Sequence, residues 1–258
     1  LIKPGFLHFC CVVSWVGYDF ISGTNRNKDL LLQKINRFVY YLEAKLPSTS
    51  MRNLKFTTGE YYHVFNRGSN KREIFLEKYD LERFFLSMQE FNSENPIGSI
   101  YEHSFNKKKS NRDSELVEFI CYCLNPNHYH FLVKQATDDG IAKFMHRLGT
   151  GYTKYFNQKY ENSGSLFQGT YKAKHVNNNE YLLHLSAYIN LNPEAHQLGS
   201  LASKSSWGEY LNSKNEGFCN TEIILSQFKN ISEYKKFAKD SLELIKQEKE
   251  LQKQLLGS

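Results

Sequence analysis

The chain reads as an α+β fold: a central antiparallel sheet with helices mainly on one face. Two short β-type runs are separated by turn residues, two apolar sets recur at helical spacing, and strand and helix signals alternate between residues 60 and 192. Glu60 to Arg67 (EYYHVFNR) is aromatic and β-branched between Gly59 and Gly68, and reads as a strand. Leu81, Phe84, Phe85, Met88 and Phe91 then recur at helical spacing between Glu77 and Asn92. Residues 93–115, with Pro96, Gly98 and Lys107 to Lys109, read as a long polar loop.

Leu116 to Leu124 and Tyr129 to Gln135 are β-type runs joined through Asn125-Pro126-Asn127, which predicts a hairpin. Asp138 and Asp139 open a helix whose apolar set is Ile141, Phe144, Met145, Leu148, Tyr152, Tyr155 and Phe156, with Gly149 and Gly151 weakening it. Thr170 to Val176 reads as a further strand. Asn177 to Asn179 cap a helix that runs to Asn192 and is ended by Pro193. This order is ferredoxin-like in outline. A charged amphipathic helix over 241–258 offers a surface to a second subunit.

With 40% hydrophobic and 15% aromatic residues among 258, the chain can bury a core and is not a disordered one. A net charge of +6 permits an anionic partner without requiring one. The cysteines at 10, 11, 121, 123 and 219 form no C-x-x-C pair and no disulfide framework, so reduced thiols in a cytoplasm are expected. Polar residues interrupt the run from Phe6 to Ile21 well short of a membrane span. Residue 1 is Leu and the first methionine is Met51, which predicts that 1–50 is an extension. Residues 51–200 are then the main domain and 201–258 a C-terminal helical extension.

His128 and His130 stand at i and i+2, so an extended backbone turns both imidazoles to one face and makes a metal half-site. The spacing alone equally fits packed histidines, and a third ligand is needed. On the helix over 177–192, Tyr181, His184, Leu185, Tyr188 and Asn192 share a face by steps of three and four. Were that face to lie over the histidines, Asn192 has an oxygen for an ion and Tyr188 a phenol for a phosphate. Lys143, Arg147, Lys154, Lys172 and Lys174 interleave with aromatic residues between 141 and 176, a pattern suited to single-stranded nucleic acid.

Five ordered blocks resemble the single-tyrosine HUH transposases, and within them the REP-associated branch. They are HVFNRG (63–68), YCLNPNHYHFLV (122–133), GYTKYFN (151–157), GSLFQG (164–169) and YINLNP (188–193). A weaker echo runs from Ser205 through Trp207 to Tyr234. The resemblance implies His128, His130 and Asn192 as metal ligands, Mg²⁺ or Mn²⁺ as the ion, Tyr188 as nucleophile and Arg67 among the DNA contacts. It also implies a homodimer acting on single-stranded or hairpin DNA through a 5′-phosphotyrosine. By ligand softness alone, two imidazoles suit Mn²⁺, Co²⁺ or Zn²⁺ better than Mg²⁺. A catalytically silent hairpin-binding regulator, or another HUH nickase, shares much of this pattern.

Overall fold

The computed structural model describes residues 54–100, 115–195, 203–212 and 217–256. The extension 1–50, the three-lysine run at 107–109 and the cysteines at 10 and 11 lie outside the described residues. Strand β1 is Tyr61–Arg67, followed by α1 at Lys78–Glu90 and the hairpin of β2 (Val117–Asn125) and β3 (His128–Gln135). Next come α2 (Gly140–Lys159), β4 (Lys172–His175), α3 (Asn179–Asn190) and the short α4 (Asn192–Ala195). A two-residue β5 (Lys204–Ser205), α5 (Trp207–Leu211), α6 (Glu222–Leu225) and the long α7 (Ile231–Leu256) complete it.

The five strands form one antiparallel sheet in the order β4-β1-β3-β2-β5. Alternation along the strands sorts side chains into two cores. Tyr62, Val64, Phe119, Tyr129, Phe131, Val133 and Ala173 face α1 and α2, where Phe84, Met88, Phe144, Leu148 and Tyr152 meet them. Cys121, Cys123 and Leu132 face the other way, against Leu185 and Ile189 of α3, with Tyr234, Ala238, Leu242 and Ile245 of α7 beyond. The α+β class and the antiparallel sheet are as the sequence predicts. The helices, however, cover both faces, because α3 is buried along nearly its whole length, enclosed between the sheet and α7.

The structure revises three boundaries. The tail helix begins at Ile231, ten residues before the charged pattern alone suggests, and its face of Tyr234, Ala238, Ser241, Leu242 and Ile245 packs within its own chain. The helix over 177–192 is two: α3 closes on Leu191, and Pro193 sits in the first turn of α4, where its missing N–H costs nothing. Asp139 caps α2 from a left-handed backbone with no side-chain hydrogen bond, so the acidic pair does not act as a first-turn charge. Gly151 in α2 has a packing reason, since a Cβ there would lie 2.7 Å from the Phe91 ring.

At the α1/α2 junction Asp80 is fully buried and accepts from Tyr155, Tyr160 and Lys159 as well as from the backbone of Leu76 and Glu77. Burial opposes its charge, but these donors outweigh burial and hold its carboxyl below the ordinary range. Across the sheet, α3 is fastened by Asn190. Its side chain accepts from Ser206 Oγ at 2.6 Å and donates to Tyr234 Oη at 3.0 Å, while Ser206 N–H bonds Tyr122 O. Among the described residues no helix is long and apolar enough to cross a membrane.

Candidate active site

The alternation that buries Tyr62 and Val64 on one face puts His63, Phe65 and Arg67 on the other, and the register sets Phe65 opposite His130 and Arg67 opposite His128. Lys172 pairs with Phe65 and Lys174 with His63 on the same side. Helix α3 crosses this end of the sheet and brings the Tyr188 ring to 5.7 Å from that of His130, near perpendicular. Phe65, Asn66, Arg67, His128, His130, Gln168, Lys172 and Tyr188 line one cleft of about 360 Å³. The segment containing Gly164 to Gly169 forms its wall: Gln168 N–H donates to Arg67 O at 2.8 Å, and Asn66 donates to Gly169 O at 3.2 Å.

Each histidine has its Nδ1 engaged. His128 donates through Nδ1 to Asn127 Oδ1 at 2.6 Å, and Asn127 is oriented by its own donation to Lys71 O. This leaves the His128 Nε2 lone pair free to accept from Asn125 Nδ2 at 2.9 Å. The same Asn125 nitrogen donates to Asn192 Oδ1 at 2.6 Å, and Cys123 Sγ donates to Asn125 Oδ1. His130 Nδ1 lies 3.0 Å from Nε2 of His63, a buried ring that stacks beside it. Burial, and then the charge of Lys174, pull the His63 pKa from 6.5 to about 3, so that imidazole is neutral near pH 7.

The donor set fits a divalent ion. His128 Nε2 and Asn192 Oδ1 converge on one point, now met by an amide hydrogen-bond donor, and the His128 and His130 rings are 5.2 Å apart at 85°. Asn192 is fully buried and its Nδ2 is an orphaned polar atom, as expected of an amide placed for the use of its oxygen. Among the described residues no group of three or more His, Cys, Asp or Glu side chains is arranged to hold a metal.

A family model described as "Transposase IS200 like" matches residues 56–192, more than half of the chain. The chain belongs to the IS200-like transposase family. The matched span of this IS200-like transposase begins just before β1 and ends on Asn192, so it contains the whole cleft. A solved structure described as a REP-associated tyrosine transposase bound to a REP hairpin is similar at 13% identity, with a TM-score of 0.45. It covers 66% of this chain and 90% of that one. No curated protein matches.

The residues singled out in the sequence separate into two groups. His128, His130, Tyr188, Asn192, Arg67 and Lys172 come together, with Lys174 beneath them and half-buried. Lys143, Arg147 and Lys154 lie on α2, on the other side of the sheet. Lys143 donates to Asp138 O, Arg147 to Ser93 O, and Lys154 lines a separate groove. His184 turns from the sheet toward α7, where it bonds Ser241 Oγ at 3.0 Å and packs on Phe237. Asn125, Gln168 and His63 were passed over: Asn125 read only as turn chemistry, although β2 ends on it and points it inward. The signal for His63 was present in the alternation His63, Phe65, Arg67 along a strand whose other face is apolar.

Proposed function

We propose that this IS200-like transposase cuts and rejoins single-stranded DNA, including hairpin-bearing ends, by the HUH mechanism, with Tyr188 as nucleophile. The observation that carries this is the meeting of Tyr188, His128 and His130 at one cleft walled by Arg67 and Lys172, with the buried Asn192 joined to His128 through Asn125. His128, His130 and Asn192 would hold Mg²⁺ or Mn²⁺. When bound, the ion supplies Lewis-acid polarisation of a phosphate oxygen.

Arg67 and Lys172 pair with backbone phosphates at the mouth and set the strand's register. Helix α3, clamped between the sheet and α7, presents the Tyr188 phenol at fixed geometry, so the entropy of alignment is met by the fold. The Tyr188 Oη–P bond forms as the P–O3′ bond breaks; the phenol gives up its proton and the departing 3′ oxygen gains one. The result is a 5′-phosphotyrosine and a free 3′-OH. Because the phosphodiester energy is kept in the tyrosine ester, a second 3′-OH can reverse the step and join new ends. Wild-type protein with labelled single-stranded hairpin DNA and Mn²⁺ should give a protein–DNA adduct that survives denaturation, and Tyr188→Phe none. An adduct formed equally by Tyr188→Phe refutes the assignment.

A further inference from the structure

His63 takes no part in the chemistry above, yet it is the most deeply buried of the three imidazoles on this face, at 4% exposure, and its Nε2 is 3.0 Å from His130 Nδ1. A nitrogen–nitrogen contact of that length needs one donor and one acceptor. If His63 donates, a neutral His130 carries its own proton on Nε2, toward the cleft, and offers no lone pair there. If His130 donates, its Nε2 lone pair is free. The neighbouring histidine shows which arrangement the site favours: His128 Nδ1 donates to Asn127 Oδ1, and its Nε2 is the accepting atom. A metal-ligating imidazole generally donates its second N–H to such an acceptor, which fixes both tautomer and ring plane.

Packing agrees with this polarity. The His63 ring stacks on His130 at 5.2 Å and 25°, while Phe65 lies 5.7 Å from the same ring at 27°. Residues two apart on β1 thus hold the His130 plane from beside it, and only His63 carries a group that can address Nδ1. We infer that His63 is a positioning residue: it accepts the His130 Nδ1 proton and so keeps the His130 Nε2 lone pair facing the cleft. The purpose of that arrangement rests on reading His130 as a metal ligand; the arrangement itself does not.

Long-range ¹H–¹⁵N correlation of the imidazoles in the full chain reads the tautomer directly, without metal. Wild-type His130 should be protonated on Nδ1. His63→Phe, which keeps a ring but removes the acceptor, should move that proton to Nε2, and His63→Gln, whose amide oxygen can accept, should restore it. A wild-type His130 protonated on Nε2 overturns the inference without any variant. Mn²⁺ titration followed by electron paramagnetic resonance should show His63→Phe binding about 10–100-fold more weakly, His63→Gln close to wild type, and all three binding single-stranded DNA alike. Equal Mn²⁺ affinity in wild type and His63→Phe also overturns the inference and leaves the metal-site reading standing. A wild type that binds no Mn²⁺ but shows the expected tautomers refutes the metal-site reading and supports the positioning role.

Discussion

Asn125 donates a 2.6 Å hydrogen bond to Asn192, joining the last residue of β2 to the first residue of α4, just beyond the helix that carries Tyr188. Asn192 is thereby linked to His128 through Asn125 although the helix breaks at Leu191. Asn192→Ala should remove the oxygen while leaving the Tyr188 helix in place. The expected outcome is single-turnover cleavage that needs about 10–100-fold more Mn²⁺, the range for lost support at a metal site. An unchanged Mn²⁺ requirement would show that the amide is structural only.

Tyrosines elsewhere should be separable from Tyr188. Tyr155 donates its hydroxyl to Asp80, on the far side of the sheet, and Tyr181 is buried two turns before Tyr188 on the same face of α3 and does not line the cleft. Tyr155→Phe and Tyr181→Phe should both form the covalent adduct at the wild-type rate. Loss of the adduct in either variant, with its thermal melting unchanged, contradicts the placement of the nucleophile.

The two groups of basic residues make a quantitative prediction. Arg67→Gln or Lys172→Gln should weaken single-stranded DNA binding and reduce the slope of log affinity against log salt by about 0.7, one phosphate contact each. Lys143→Gln should change neither, because Lys143 lies on α2 and is engaged with Asp138 O. Binding measured from low to moderate salt decides this, and an equal loss from Lys143→Gln would extend the nucleic-acid surface to the opposite face.

Acid should loosen the α1/α2 junction. The folded-state pKa of Asp80 lies below its unfolded value of 3.8, so its contribution is fully present above that value and is lost as pH falls through the folded pKa. Asp80→Asn should cost roughly 2–4 kcal/mol near pH 7, as expected when a buried, multiply bonded charge is removed from its donors. The difference between variant and wild type in denaturant melts should shrink below pH 3.8. A constant difference from pH 7 to pH 2 would place the stabilisation elsewhere.

Much of the fold is legible because each predicted segment buries one face. The residues Leu81, Phe84 and Met88 mark α1, and the alternation around Tyr129, Phe131 and Val133 marks β3. The pattern fails where a segment is enclosed on all sides. Residues 184–192 are buried without exception, so α3 shows no polar stripe to reveal that a second helix lies on it. The two-residue β5 is too short for any period and is set by Ser206 bonding to Tyr122. At the site, spacing marked His128 and His130 as sharing a face and Tyr188 as sharing one with Asn192, while their roles rest on the family resemblance. The support given by Asn125 and His63 could not, because it depends on which strands lie side by side.

The fastening of α3 by α7 also bears on when this part of the fold is completed. Tyr234, Ala238, Leu242 and Ile245 leave the ribosome well after Tyr188, and the Asn190 amide gains its Tyr234 partner only then. During synthesis, the residues around Tyr188 are complete while the outer side of their helix is still bare. The helix that carries Tyr188 thus completes its packing only after α7 has been made, so its final order is acquired late in synthesis.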